Sequence, residues 1–114
     1  MALDDDTRRE LIDTVRRFVD EVLIPAEPEV SAKDQMPDAI IARMRDLGLF
    51  GLTVSEEYGG LGLSLEDEVL VMFELGRASP AFRSVMATNN GIGSQGIIID
   101  GTDAQKQKYL PRVA

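Results

Sequence analysis

The strongest constraint on this chain is the punctuation of its helices: caps, prolines and glycines recur at helix-length intervals, and the apolar residues between them repeat at helical spacing. Sustained two-residue alternation, the mark of a half-buried strand, is almost missing. Thr7 and Glu10 form a capping-box pattern. Behind it Leu11, Val15, Phe18 and Val22 make an apolar stripe that Ile12, Val19 and Leu23 widen, until Pro25 and Pro28 stop or bend the helix. A second helix is expected with Pro37 in its first turn, an inner face of Ile40, Met44 and Leu47 with Ile41 beside it, and Gly48 as its left-handed C-terminal cap. Leu49 to Val54 suits a short extended piece, and Tyr58 to Gly62 a glycine-rich loop.

Ser64 caps a third helix, in which Leu65, Val69, Met72 and Gly76 share a face with Leu70 and Phe73 adjacent. Ser79-Pro80 stops that helix and starts a fourth, with Phe82, Val85, Met86 and Asn89 at helical spacing and a reach as far as Asp100-Gly101. Gly91, Gly93 and Gly96 weaken this stretch by about 1 kcal/mol each relative to alanine. Thr102 to Gln105 is a second capping box, opening a helix that reaches Leu110 before Pro111. At 114 residues there is room for one domain, so residues 1–114 are expected to form a single all-α domain, a bundle of five to six helices.

Composition narrows the chemistry. Twenty acids against twelve bases give a net charge of −8, which disfavours a nucleic-acid partner. The chain has no cysteine and no histidine, so it holds no disulfide, no thiolate nucleophile and no Ser-His-Asp triad of its own. The acidic N-terminus lacks a secretory pattern, and no apolar run, Ile97–Ile99 included, approaches spanning length; a soluble cytoplasmic protein without a membrane span is the expectation.

Gly91-Ile92-Gly93-Ser94-Gln95-Gly96 matches the dinucleotide fingerprint in letters alone, because a helix precedes it where a strand is required. Gly59, Gly60 and Gly62 lack the Gly-Lys-Ser/Thr ending of a phosphate loop and are expected to serve a turn, with Tyr58 structural beside them. Glu66, Asp67 and Glu68 suit the positive end of a helix, and Asp4-Asp5-Asp6 suits a frayed acidic tail with no metal role. The small polar surface of Ser84, Thr88, Asn89, Asn90 and Gly91 leaves space either for a neighbouring helix or for a ligand.

Four segments, in order, carry a family resemblance. Leu47-Gly48-Leu49-Phe50-Gly51-Leu52 followed by Glu57-Tyr58-Gly59-Gly60-Leu61-Gly62-Leu63-Ser64, then Glu74 to Ser79, then Asp100-Gly101-Thr102 with Gln105 to Pro111, resemble the N-terminal helical domain of the acyl-CoA dehydrogenases. The resemblance spans roughly residues 5 to 114. It implies a three-domain FAD enzyme that introduces a trans double bond between the α and β carbons of an acyl-CoA thioester. In that family the catalytic glutamate and most flavin contacts lie in later domains, so no catalytic, cofactor-binding or metal-binding residue is expected within this chain. The resemblance further implies that this domain supplies one wall of the acyl pocket, through Ser84, Val85, Thr88 and Ile92, whose i, i+1, i+4 and i+8 spacing fits one helical face.

The partners so implied are an acyl-CoA substrate, the remaining domains of the same enzyme, an electron-transferring flavoprotein as electron acceptor, and copies of the full-length chain in a homo-oligomer. An oxidase relative on the same fold is a milder variant. The competing class is a free-standing helical domain that binds a partner protein or an acyl chain without catalysis. A domain cut from a larger enzyme is expected to carry apolar surface where its neighbours dock.

Overall fold

A computed structural model describes residues 3–114, and among these every regular element is a helix. The first rod is longer than its prolines suggest. Helix α1 (Asp5–Phe18) passes through a π-helical segment, Val19–Leu23, directly into α2 (Ile24–Lys33). Pro25 has no N–H for the carbonyl four residues back; the preceding turn widens, and Ile24 N–H bonds the Val19 carbonyl five residues back. The prolines therefore re-register the helix instead of stopping it.

The start of α1 also differs from expectation. Asp4 is the cap: its carboxylate accepts the Thr7 N–H at 2.8 Å and the Thr7 hydroxyl at 3.0 Å. Asp5 and Asp6 lie in the first turn and pair with Arg8 and Arg9, so the acidic triplet belongs to the helix and is no frayed tail. Three carboxylates at the positive end of a helix outcompete a threonine hydroxyl.

Pro37 caps α3 (Asp38–Asp46) from outside, and Gly48 ends the turn after it at φ +75° with Leu61 packed 3.1 Å from the position of a side chain. Residues 49–54 form no strand. They double back on the segment 60–63, where Leu61 N–H bonds Gly51, Gly62 N–H bonds Val54 and Leu63 N–H bonds Leu52, at 2.8 to 2.9 Å. A short 3-10 turn, Glu56–Tyr58, closes the loop.

Helix α4 (Leu65–Leu75) turns a different face inward from the one its apolar stripe predicts. Asp67, Val71 and Leu75 are buried, whereas Leu65 and Phe73 are 75% and 71% exposed. The register is set by α1, which packs along α4 and pairs with it through Arg8–Asp67 and Arg16–Glu74. Helix α5 (Pro80–Asn90) follows, capped by Ser79, and stops ten residues short of Asp100. A turn over residues 91–94 separates it from α6 (Gln95–Asp100). The break falls at Gly91, whose φ of −95° and ψ of −96° lie outside the helical region. Helix α7 (Asp103–Val113) begins with the predicted capping box and carries Pro111 inside its last turns, so it ends three residues later than Leu110.

Phe82, Met86, Val71, Leu75, Met44, Leu23 and Val19 form the centre of one core. The result is a slab of 43 × 33 × 18 Å with a radius of gyration of 14.4 Å, against about 13 Å for a sphere-like chain of this length. Its surface of 6949 Å² exceeds the roughly 6,200 Å² usual for a monomer of 12.5 kDa. Part of that surface is apolar: Leu65, Phe73, Ile92 and Ile99 project into solvent.

Candidate functional site

Two polar assemblies are buried, and each ties distant segments together. At the first, the Asp67 carboxylate, 1% exposed, accepts from Arg8 Nε, from the Leu3 N–H at 3.1 Å and from the Ser64 hydroxyl at 2.9 Å. The Arg8 guanidinium, against the cost of burial, holds the Asp67 carboxyl below the usual carboxylate range, and the Leu3 and Ser64 donors help. Burial pushes the neighbouring Glu68 carboxyl up. Asp67 is thus a structural anchor as well as a first-turn charge.

The sign of its pH effect follows. A carboxyl depressed in the fold contributes stability at neutral pH and loses it as pH falls from the unfolded value of about 3.9 towards the folded one. Urea midpoints of the wild type are therefore expected to drop, as pH falls below about 4, by more than those of Asp67→Asn. Asp67→Asn itself costs about 2 kcal/mol at pH 7, and the two proteins converge in strong acid.

The second assembly sits where α5 ends. Asn90, 1% exposed, accepts the Leu52 N–H at 2.8 Å and donates to the carbonyls of Leu49 at 2.6 Å and Met86 at 3.0 Å. Asn89 donates to Phe50 and Val113, and Gln95 reaches the Thr53 hydroxyl at 2.8 Å. Among the described residues no buried side-chain polar atom lacks a partner. These amides fasten the 49–53 loop onto α5. Helical spacing alone puts Asn89 and Asn90 on a small polar surface; an Asn-Asn-Gly run after a helical stretch is the signal that a helix ends there.

Of the residues proposed for a pocket wall, Ser84, Val85 and Thr88 share α5, with Ser84 and Thr88 exposed and the Thr88 hydroxyl turned back onto the Ser84 carbonyl at 3.3 Å. Val85 is half-buried and lines a groove of about 320 Å³ with Ile41, Phe50, Asn89, Arg45 and Arg112. Ile92 is off the helix, on the turn after it, and 93% exposed. The spacing of i+8 therefore does not place it on one helical face, because α5 ends at Asn90. A larger depression of about 510 Å³ lies over the outer face of α1, but its lining is wholly charged and partly self-paired, as in Asp6–Arg9 and Asp13–Arg16.

The six residues Gly91–Gly96, three of them glycine, close α5 and lead into the short α6, and Ser94 among them is buried with its hydroxyl on the Asn90 carbonyl. That geometry does not fit a dinucleotide pyrophosphate. Among the described residues no three His, Cys, Asp or Glu side chains are grouped to hold a metal ion, and no helix is long and apolar enough to cross a membrane.

A family model, "Acyl-CoA dehydrogenase, N-terminal domain", matches residues 5–114. The chain belongs to this family. Curated relatives match with similar breadth. Among them are the very long-chain specific acyl-CoA dehydrogenase of Mus musculus, 38% identical over 93% of this chain, and the (2S)-methylsuccinyl-CoA dehydrogenase of Cereibacter sphaeroides, 39% identical over 96%. The chain spans 16% and 20% of those two relatives. A solved structure described as "Electron transferring flavoprotein of Acidaminococcus fermentans: Towards a mechanism of flavin-based electron bifurcation" contains a chain that superposes with a TM-score of 0.86 at 28% identity. The match covers all of this chain and 30% of that one.

Proposed function

We propose that residues 1–114 serve as the N-terminal domain of an FAD-dependent acyl-CoA dehydrogenase, inactive alone, and contribute one wall of the acyl pocket. The observation that carries this reading is the family match over residues 5–114 of this chain, beside relatives several times its length. The flat shape and the exposed Leu65 and Phe73 support it, since a domain that meets others within one enzyme leaves such a face uncovered until they dock.

In the proposed enzyme the overall change is α,β-dehydrogenation of an acyl-CoA thioester to the trans-2-enoyl-CoA. The flavin supplies the electron sink, and an electron-transferring flavoprotein takes the electrons onward. The chain's own residues neither move a proton nor bind the flavin. Ser84, Thr88 and Ile92 present small and apolar groups to the substrate chain, with Val85 behind them, and exclude water from it. A carboxylate base and the flavin contacts belong to other domains.

Two measurements test this. The native polypeptide carrying this segment, captured from its source, is expected to have several times the 12.5 kDa of these 114 residues and to show flavin absorbance. A native mass near 12.5 kDa favours the free-standing binding domain instead. In the full-length enzyme, Thr88→Phe is expected to shift kcat/KM towards shorter acyl-CoAs by about tenfold or more, since a methylene in an apolar pocket is worth about 10- to 200-fold. An unchanged chain-length profile removes the pocket-wall assignment.

A further inference from the structure

Ile92 is the most exposed large apolar residue described, yet the residues on either side of it are bonded back to α5 and across the turn. Gly91 N–H donates to Ala87 at 2.9 Å, Gly93 N–H to Thr88 at 2.8 Å and Gln95 N–H to Gly91 at 2.9 Å. Below the turn, the Gln95 amide donates both to the Thr53 hydroxyl at 2.8 Å and to the Asn90 carbonyl at 3.2 Å. Thr53 lies in the loop that Asn90 holds through Leu52, so one side chain couples the turn to the loop across α5's end. An apolar side chain held out in solvent on a fixed perch is preorganised for something that meets it.

We propose that Gln95 and Thr53 form a positioning pair that fixes how far Ile92 reaches into the acyl-binding space, and so helps set the acyl length the enzyme accepts. This rests on the pocket-wall reading of Ile92. Neither Gln95 nor Thr53 touches the substrate; they act through the turn. An ångström of freedom at Ile92 is comparable with a methylene of substrate, and discrimination between neighbouring acyl lengths is of that size.

The test uses the full-length enzyme and a series of saturated acyl-CoAs of increasing length. For each, kcat and KM are measured, together with equilibrium dissociation constants. Gln95→Ala and the near-isosteric Thr53→Val are expected to relax the ratio of kcat/KM between preferred and longer acyl-CoAs by about threefold to tenfold. The change should appear in KM and in the dissociation constants, with kcat following little. Thr53→Ser keeps the hydroxyl and should retain the wild-type ratio. If Thr53→Ser relaxes the profile as far as Thr53→Val, the hydrogen bond is not the cause and the proposal is overturned. Ile92→Phe separates the two levels of inference. A profile moved by Ile92→Phe but not by Gln95→Ala or Thr53→Val overturns the positioning role alone. A profile unmoved by Ile92→Phe removes the pocket wall, and the positioning role with it.

Discussion

Gly60→Ala is expected to leave little folded protein. A side-chain carbon at this position would lie 2.1 Å from the Val54 carbonyl oxygen and 2.6 Å from the Val54 Cβ. Both belong to a loop whose backbone is fastened: Val54 accepts the Gly62 N–H at 2.8 Å, and Leu52, wholly buried, accepts from Leu63 at 2.8 Å. Relieving the clash means pulling the two segments apart and giving up those bonds along with the packing of Leu52 and Val54. The cost is about 4 kcal/mol, a large share of the stability of a domain this size. Urea denaturation of the purified chain, or its soluble yield if too little folds, measures it. Gly96→Ala is the matched control. Nothing lies within 4 Å of that position in α6, so the same exchange should be neutral or stabilising by up to about 1 kcal/mol. A Gly60→Ala protein as stable as the Gly96→Ala protein would show that the two loop segments are not held this close.

Asn90→Ala should cost about 3 kcal/mol, because it strands the buried Leu52 N–H and the Leu49 carbonyl and opens space at the end of α5. Asn90→Asp keeps the shape and separates the two kinds of hydrogen bond. A carboxylate accepts from Leu52 but cannot donate to Leu49 or Met86, and it is charged in a site that is 1% exposed. Its folded pKa must therefore rise above the unfolded value. A carboxyl raised in the fold binds its proton more tightly when folded, so this variant should regain stability relative to wild type as pH is lowered from 7 to about 5. Midpoints in urea at the two pH values decide it. A pH-independent difference between Asn90→Asp and wild type would mean that the folded carboxyl is not raised and that its charge is not shut away from water.

The loop that these two positions hold was legible only as a loop. Tyr58-Gly59-Gly60-Leu61-Gly62 announces flexible backbone, but its partner is Gly51 to Val54, and no local pattern says that the two segments pair. The candidate surface was half legible for a related reason. Ser84 and Thr88 fall on one helix as their spacing requires, whereas Ile92 left that helix because Asn90 turned inward to bond the loop.

What the sequence determined by itself is the class and punctuation of the fold. Helical periodicity, Ser64, Ser79 and the Thr102 capping box act over one turn of chain, and their energies are local, so they read the same before and after folding. The family is written there too, in short motifs in order. What only the tertiary structure decided is which face of each helix goes inward and whether a proline breaks it. The face of Leu65, Val69, Met72 and Gly76 on α4 is the core side by periodicity, yet of these only Met72 packs against the core. Leu65, Val69 and the adjacent Phe73 face outward because α1 engages the opposite side through Val71, Leu75 and a carboxylate that Arg8 neutralises. Pro25 sits in a continuous rod because the preceding turn could widen into a π-helix, with Val19 and Leu23 fully buried against the core. Both outcomes depend on contacts between residues more than fifty positions apart, or on burial gained by a whole rod, and neither is a property of any short stretch of sequence.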